Sequence, residues 1–207
     1  MDKMQSTPAC GTDAARAGRR GRRLSPEARQ QQLLDCAIQA CAQISVDRIG
    51  HGDIAKLAHV STATVFNYFP TRTALIEAVL GEITALVEGL FDQFTSMPNF
   101  DALPPAQQFL GLAATYNNMI ATQPQAIKAF LNWSVTFNPD VRPQYLAFQD
   151  RVLSRLTEAL PAIVRSEQDA RIIYGAANMF ATMRIDGASE DVLTGFIARL
   201  SDAFLPH

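Results

Sequence analysis

The segment DIAKLAHVSTATVFNYFPTR, residues 53–72, contains two short helical patterns separated by the three-residue break HVS. Ser61, the last residue of the break, is of a type preferred as the N-cap of a helix. Pro70 ends the second pattern, because the residue before a proline avoids the helical region. Two short helices joined by such a turn, with a preceding helix to close their core, are typical of a helix-turn-helix.

Helical patterns continue on both sides of this motif. Upstream, Ser25 is a good N-cap and an apolar stripe follows it, which predicts a helix over 26–43. The motif itself predicts helices over 52–58 and 62–69, and Thr71 can cap a long helix over 72–95. The remaining helical patterns, separated by prolines, cover 106–122, 125–136, 140–160, 167–184 and 189–204. No convincing alternating strand pattern occurs, so we predict an all-α fold of about nine helices without internal repeats.

The second helix of the motif has an outward face suited to the DNA major groove. Val65 and Phe69 lie four residues apart and should face inward together, which leaves hydroxyls, a methyl group, an amide and a phenol on the other faces. An asparagine such as Asn67 can pair with adenine, and a methyl group can contact thymine. The alternative is a capped surface helix whose polar side chains face only water. The motif residues that we predict to contact DNA are His51, Lys56, Ser61, Thr62, Ala63, Thr64, Phe66, Asn67, Tyr68, Thr71 and Arg72.

Charge is distributed unevenly along the chain, although the formal net charge of −2 indicates no particular partner. Residues 1–24 hold six basic and two acidic side chains, a net of +4, so residues 25–207 carry −6. We therefore predict residues 1–23 to be a disordered basic arm, with Arg20, Arg22 and Arg23 reaching a narrow minor groove. A solubilising tail is the alternative. The motif region has as many acidic as basic side chains, so the arm must supply much of the non-specific affinity for DNA.

The stretch DIAKLAHVSTATVFNYFPTRTAL resembles the DNA-binding signature of the tetracycline-repressor (TetR) family of regulators. More narrowly, GHGDIA, VSTATVFNYFPTR, KAFLNWS and DVRPQYLAF resemble the quorum-sensing master regulators of vibrios, the LuxR, HapR and SmcR group. Two departures from these relatives concern the reading motif. His59 stands where many relatives have glycine, which predicts a left-handed backbone there, and Thr62 stands where the quorum-sensing regulators usually have valine.

The resemblance implies a homodimer that binds a pseudo-palindromic operator, with one helix-turn-helix in each of two successive major grooves. It implies a DNA-binding domain over 24–72 and a helical ligand-binding and dimerisation domain over 73–207. The last two helices would pair across the dimer, and the small residues around Gly175 and Ala176 would allow their close approach. Repression, activation or both remain open, because operator positions decide between them. A local repressor relieved by a small apolar ligand is the alternative to a quorum-sensing regulator.

A group of large side chains on successive helices of the second domain can line an apolar cavity. Such residues also build ordinary cores, and some close relatives act without a known inducer, so both readings stay open. The few charged residues nearby favour an apolar or weakly polar ligand. The residues that we predict to bind it are Val87, Tyr116, Met119, Phe130, Trp133, Phe137 and Phe148.

Other classes of protein are disfavoured by what the sequence contains. Neither the three histidines nor the three cysteines have a spacing that suggests a metal site, and we expect no cofactor. No GxSxG, phosphate-binding loop or GxGxxG motif supports an enzyme. The chain lacks an apolar run long enough to cross a membrane and a signal-peptide core, so we expect a cytoplasmic protein. A helical adaptor that does not bind DNA remains a distant alternative.

Overall fold

The computed structural model describes residues 24–205, which form an all-α fold, as the sequence predicts. A short 3-10 helix, Phe100–Ala102, lies between the fourth and fifth α-helices and was not expected from the sequence. The α-helices within the described residues are α1 Pro26–Gln43, α2 His51–Ala58, α3 Thr62–Tyr68, α4 Arg72–Thr95, α5 Pro105–Thr122, α6 Pro124–Ser134, α7 Arg142–Ala159, α8 Glu167–Ile185 and α9 Glu190–Phe204.

Most helix boundaries agree with the sequence-based prediction because local caps determine them. The hydroxyl oxygens of Ser25, Ser61 and Thr71 accept hydrogen bonds from backbone N–H groups three residues later, at 3.2, 3.2 and 3.1 Å. The largest differences lie on either side of the loop between α6 and α7. The sequence predicts that α6 ends at Thr136 and that α7 begins at residue 140, whereas α6 ends at Ser134 and α7 begins at Arg142. In the structure the carbonyl of Asn138 accepts hydrogen bonds from the N–H groups of residues 141 and 142, and this turn delays the start of α7.

We call α1–α3 the head and α4–α9 the body. The head is a small three-helix unit closed by buried apolar side chains, among them Leu33, Ile54 and Val65, each 0% exposed. Cys41 is also buried near the end of α1, and this burial raises the pKa of its thiol to about 12. The thiol is therefore protonated and chemically quiet near neutral pH.

The body contains the larger share of the apolar core, which is continuous with that of the head. Helix α1 packs mainly on α6, so the contact between head and body runs along these two helices. Trp133, near the end of α6, is 1% exposed, and its indole N–H donates to the carbonyl of Val141 at 3.2 Å. Across the described part of the chain, no helix combines the length and apolarity needed to cross a membrane.

Candidate DNA-binding surface and ligand cavity

The turn between α2 and α3 has the left-handed backbone that the sequence predicts at His59. Its φ and ψ angles are 53° and 44°, and its N–H donates to the carbonyl of Lys56 at 3.3 Å. Histidine is one of the few non-glycine residues that enter this region with modest strain. The N–H of Val60 then donates to the carbonyl of Ala55 at 3.0 Å, which closes the last turn of α2. These bonds determine the direction in which α3 leaves the turn.

Helix α3 buries little of its surface against the other two helices of the head. Within Thr62–Tyr68, Val65 is the one buried residue, and Phe69, which follows the helix, is 3% exposed. Both face α2, where Ala55 is 5% exposed and small enough to allow close approach. The predicted inward face is thus confirmed, and the rest of the helix is left for other contacts.

The outward face of α3 carries the group of side chains expected from the sequence. Thr62, Ala63 and Asn67 are exposed, and Thr64 and Tyr68 are half-buried at the sides. Phe66 is 46% exposed, so part of its ring is open to solvent. The surface therefore offers hydroxyl, methyl, amide and aromatic groups, and these are the groups that can read base edges in a major groove.

His51, which the sequence places among the predicted DNA contacts, is buried in the structure. Its side chain belongs to a residue only 6% exposed, and its Nε2 lies 2.7 Å from the carbonyl oxygen of Phe69. Because a carbonyl can only accept, Nε2 carries the hydrogen and donates it. The ring is also stacked on Phe66, with centroids 3.8 Å apart and planes 11° apart. His51 therefore supports the outward face of α3 from behind instead of lying on it.

Arg72, which we also predict to contact DNA, is exposed and makes hydrogen bonds within the protein. Its Nε donates to the carbonyl of Ile49 at 2.9 Å, and a second guanidinium nitrogen donates to the carbonyl of Asp47. The side chain thus holds the α1–α2 loop against the start of α4. The hydroxyl of Thr71 caps the same helix, whereas Lys56 is exposed on α2 and its ammonium can reach solvent or a phosphate.

The remaining predicted DNA contacts divide into two groups. Ser61 is exposed, and its Oγ accepts from the N–H of Thr64 while lying 2.9 Å from the Thr64 hydroxyl, so both hydroxyls already have a partner. Arg20, Arg22 and Arg23 lie outside the described residues. Their contribution therefore stays a prediction from the sequence.

An apolar cavity of about 100 Å³ lies inside the body between α4, α5, α6, α7, α8 and α9. Val87, Tyr116 and Phe130 line it, as the sequence predicts. The contributions of α8 and α9, such as Tyr174 and Phe196, were missed. The sequence-based prediction used these two helices for a dimer interface only, although the spacing of Leu193, Phe196 and Leu200 on α9 is also that of an inward face.

Four of the predicted ligand residues do not line this cavity. Met119, Trp133 and Phe148 are buried in the core instead, and Trp133 and Phe148 pack together with ring centroids 5.4 Å apart. Phe137 is 77% exposed in the loop after α6, where the guanidinium of Arg142 lies 4.5 Å from its ring centre. Phe137 is therefore outside the cavity because it lies in an exposed loop, although a phenylalanine could line an apolar cavity.

The polar groups at the cavity wall are neutral. Burial raises the pKa of the Tyr116 and Tyr174 hydroxyls, and the hydrogen bond with Tyr145 further raises that of Tyr174. The hydroxyls of Tyr174 and Tyr145 lie 2.9 Å apart. The lining residues include Asn178 but no acidic or basic side chain, so the cavity offers a charged ligand no partner. Among residues 24–205, no group of His, Cys, Asp or Glu is placed to hold a metal ion.

The outer faces of α8 and α9 leave large apolar side chains in solvent. Ile172 and Met179 on α8 are 55% and 54% exposed, and Val192 on α9 is 52% exposed. On α8, Gly175 lies between the first two of these residues and is also exposed. Such a face, made of large apolar and small residues, is suited to contact with another helix pair.

Comparisons with known proteins agree with this geometry. Residues 33–79 match the family described as bacterial regulatory proteins, tetR family. Over 127 residues, 60% of this chain, the sequence is 38% identical to the HTH-type transcriptional regulator LuxR of Vibrio harveyi, and the match spans 58% of LuxR. It is 27% identical over 155 residues to the HTH-type transcriptional regulator BetI of Escherichia coli, covering 72% of this chain and 76% of BetI. A TetR-like transcriptional regulator from Rhodococcus sp. RHA1 has the same fold, with a TM-score of 0.71, 15% identity, and coverage of 87% of this chain and 95% of that one.

Proposed function

We propose that the chain is a TetR-family transcriptional regulator that binds a pseudo-palindromic DNA operator as a homodimer. Its relatives in these comparisons are regulators of transcription, not enzymes. The observation that carries the proposal is the outward face of α3, where exposed Thr62, Ala63 and Asn67 surround the half-exposed ring of Phe66. Side chains of these types on a capped helix after a tight turn fit the major groove.

In this proposal the outward face of α3 reads bases, and other groups hold the phosphate backbone. Asn67 pairs with an adenine, while the methyl groups of Thr62 and Ala63 contact thymine. Lys56 and the basic arm hold phosphates or the minor groove. Replacing Arg20, Arg22 and Arg23 together by alanine should weaken binding and reduce the slope of log affinity against log salt by up to about 3. An unchanged slope would show that the arm takes no part.

The dimer is proposed to form through the outer faces of α8 and α9. The exposed apolar side chains Ile172, Met179 and Val192 and the small residue Gly175 form a surface that a second copy can cover. Met179→Asp should convert the protein to monomers in sedimentation experiments. Val135→Asp is the matched control, because Val135 is 69% exposed in the loop after α6, away from this face. Monomers of the unaltered protein at micromolar concentration would contradict the interface.

We further propose that the regulator acts in the cytoplasm, bound to the nucleoid, as a quorum-sensing-type master regulator. The support is the resemblance of the DNA-binding motif and of the region around Trp133 to that group, together with the 38% identity to LuxR. Whether it represses or activates a given gene then depends on the position of its operators.

Selection of bound DNA from a random duplex library tests the proposal directly. We expect the purified protein to enrich a pseudo-palindrome of about 20 base pairs with half-sites about one helical turn apart. Asn67→Ala should relax the preference at one position of each half-site, and Glu158→Ala, exposed on α7, should leave the selected sequence unchanged. If no sequence is enriched even at low salt, the protein does not read DNA directly.

The cavity supports a second candidate function, a local repressor whose DNA affinity falls when a small apolar ligand binds. The neutral lining and the volume of about 100 Å³ favour a compact uncharged molecule, for which benzene and cyclohexanol are suitable probes. They should raise the melting temperature of the wild-type protein but not that of Ala113→Leu, which fills the cavity. Probe binding without any change in operator affinity would leave the cavity without a regulatory role.

A further inference from the structure

A group of polar contacts joins the head to the body at the end of α1, and we call it the junction. Its members are Asn132 on α6, Asn138 in the loop after α6 and Asp47 in the α1–α2 loop. The Asn132 amide donates to the carbonyls of Cys41 and Ala42 at 3.0 and 3.2 Å. The last carbonyls of a helix have no partner within that helix. A side chain of the body therefore completes the hydrogen bonding of a helix in the head.

The second contact of the junction connects two loops. The amide nitrogen of Asn138 donates to a carboxylate oxygen of Asp47 at 3.2 Å. The amide oxygen of Asn138 meanwhile accepts from the N–H of Asp140 at 2.9 Å. Because this turn within its own loop holds the oxygen, the NH₂ group is directed toward Asp47.

The carboxylate of Asp47 is held on its other side by the head itself. The hydroxyl of Ser45 donates to it at 2.5 Å, and the same hydroxyl lies 3.4 Å from that of Thr136 in the body. The Ser45 hydroxyl, with a smaller contribution from Asn138, holds the pKa of Asp47 below its ordinary value. The group is therefore a carboxylate near neutral pH, and hydrogen bonds to an ionised acceptor are among the stronger ones in proteins.

Arg72 connects the junction to the segment that follows α3, the helix proposed to read DNA. This guanidinium donates to the backbone carbonyls of Asp47 and Ile49, and Arg72 begins α4 directly after the end of the helix-turn-helix. A continuous series of bonds thus runs from Asn138 through the α1–α2 loop to the residues that follow α3.

From these contacts we propose that Asn132, Asn138 and Asp47 are positioning residues for DNA recognition. They determine the angle of α3 relative to the body, and hence the separation of the two reading helices in a dimer. This effect on DNA rests on the proposed function, but the angle itself can be measured without DNA.

The first experiment measures the head-to-body distance with paired spin labels. The labels are attached at Asn67→Cys on α3 and Glu158→Cys on α7, both exposed, in the full chain with Cys10→Ser. Buried Cys36 and Cys41 are poorly accessible to the label. Dilution with unlabelled protein keeps one labelled chain per dimer. We expect a narrow distance distribution for the otherwise unaltered protein.

The variants exchange the donor and the acceptor of one contact. Asn138→Asp preserves the bond to the N–H of Asp140 but places two carboxylates together, so the distribution should broaden. Adding Asp47→Asn supplies an amide that can donate to the new carboxylate, and the narrow distribution should return. Asn132→Ala should also broaden it. An unchanged distribution in both Asn138→Asp and Asn132→Ala, with the protein folded by circular dichroism, would overturn the proposal.

The second experiment varies the spacing between operator half-sites by one base pair in each direction. The unaltered protein should prefer its own spacing, and Asn138→Asp should reduce that preference about tenfold, the double variant restoring it. A uniform loss at all spacings would mean that the junction contributes only stability and would overturn the positioning role. If the unaltered protein binds no operator, the proposed function fails, whereas the distance measurement still decides the proposal on the junction.

Discussion

The outward face of α3 and the cavity of the body are built in opposite ways. The first belongs to a helix of seven residues, which is held by the buried side chain of Val65, the N-cap Ser61 and backbone hydrogen bonds such as that from the N–H of Phe69 to the carbonyl of Val65. The second is a cavity to which six helices contribute, lined mainly by apolar side chains. A single substitution on α3 should therefore change recognition without unfolding the protein, whereas a substitution in the body should change stability first.

The largest expected effect lies in the body. Trp133→Ala removes a side chain that is 1% exposed and packed on Phe148, and it also removes the bond to the Val141 carbonyl. We expect a loss of about 3–5 kcal/mol in the free energy of unfolding, measured by denaturant titration. Phe137→Ala, which truncates a side chain 77% exposed only four residues away, should stay within about 0.5 kcal/mol. Equal losses of unfolding free energy in the two variants would mean that the burial of Trp133 does not stabilise the body.

The next prediction tests whether the outward face of α3 depends on the ring of His51, which stacks on Phe66. His51→Gln can preserve the donor to the Phe69 carbonyl but loses the stacked ring, whereas His51→Phe preserves an aromatic ring and loses the donor. Each should cost about 1–2 kcal/mol in stability. If Phe66 contacts DNA, His51→Gln should also lower the preference for the selected operator more than His51→Phe does. The ratio of operator to random-DNA affinity, measured by fluorescence anisotropy, decides this.

Asn67→Ala should have the opposite effect to Trp133→Ala, weakening DNA binding while leaving stability nearly unchanged. Because Asn67 is exposed, its truncation should leave the free energy of unfolding within about 0.5 kcal/mol. Operator binding should weaken by about 1–3 kcal/mol, with relaxed preference at one base pair per half-site. A uniform weakening on all sequences would place Asn67 on the phosphate backbone and not on a base.

The smallest effect concerns the turn before α3. His59→Gly removes the side chain at a left-handed residue, which relieves strain but also increases the entropy of the unfolded chain. These two terms oppose each other, so the change in unfolding free energy should be under about 1 kcal/mol. His59→Val should cost about 1–2 kcal/mol, because a β-branched side chain is poorly tolerated there. Similar stabilities for both variants would mean that the turn is free to adopt another backbone.

The same contrast explains how much could be predicted from the sequence. Helix boundaries, caps and the inward pair Val65 and Phe69 follow from patterns a few residues long, so they were predictable. The role of His51 was not, because its hydrogen-bond partner is 18 residues away and its stacking partner lies on another helix. Residue type alone also failed to separate Trp133 in the core from Phe137 at the surface. That distinction depends on where α6 ends and how the following loop turns.

The single buried position of α3 also has an evolutionary consequence. Since Val65 is the one buried residue of the helix, the exposed positions Thr62, Ala63 and Asn67 can change with little cost to folding. Under the proposed function, one copy can acquire a new operator after gene duplication by a few substitutions at these positions, while its body, proposed dimer face and junction stay as they were. The same independence makes α3 a natural starting point for redesigning which promoters such a protein controls.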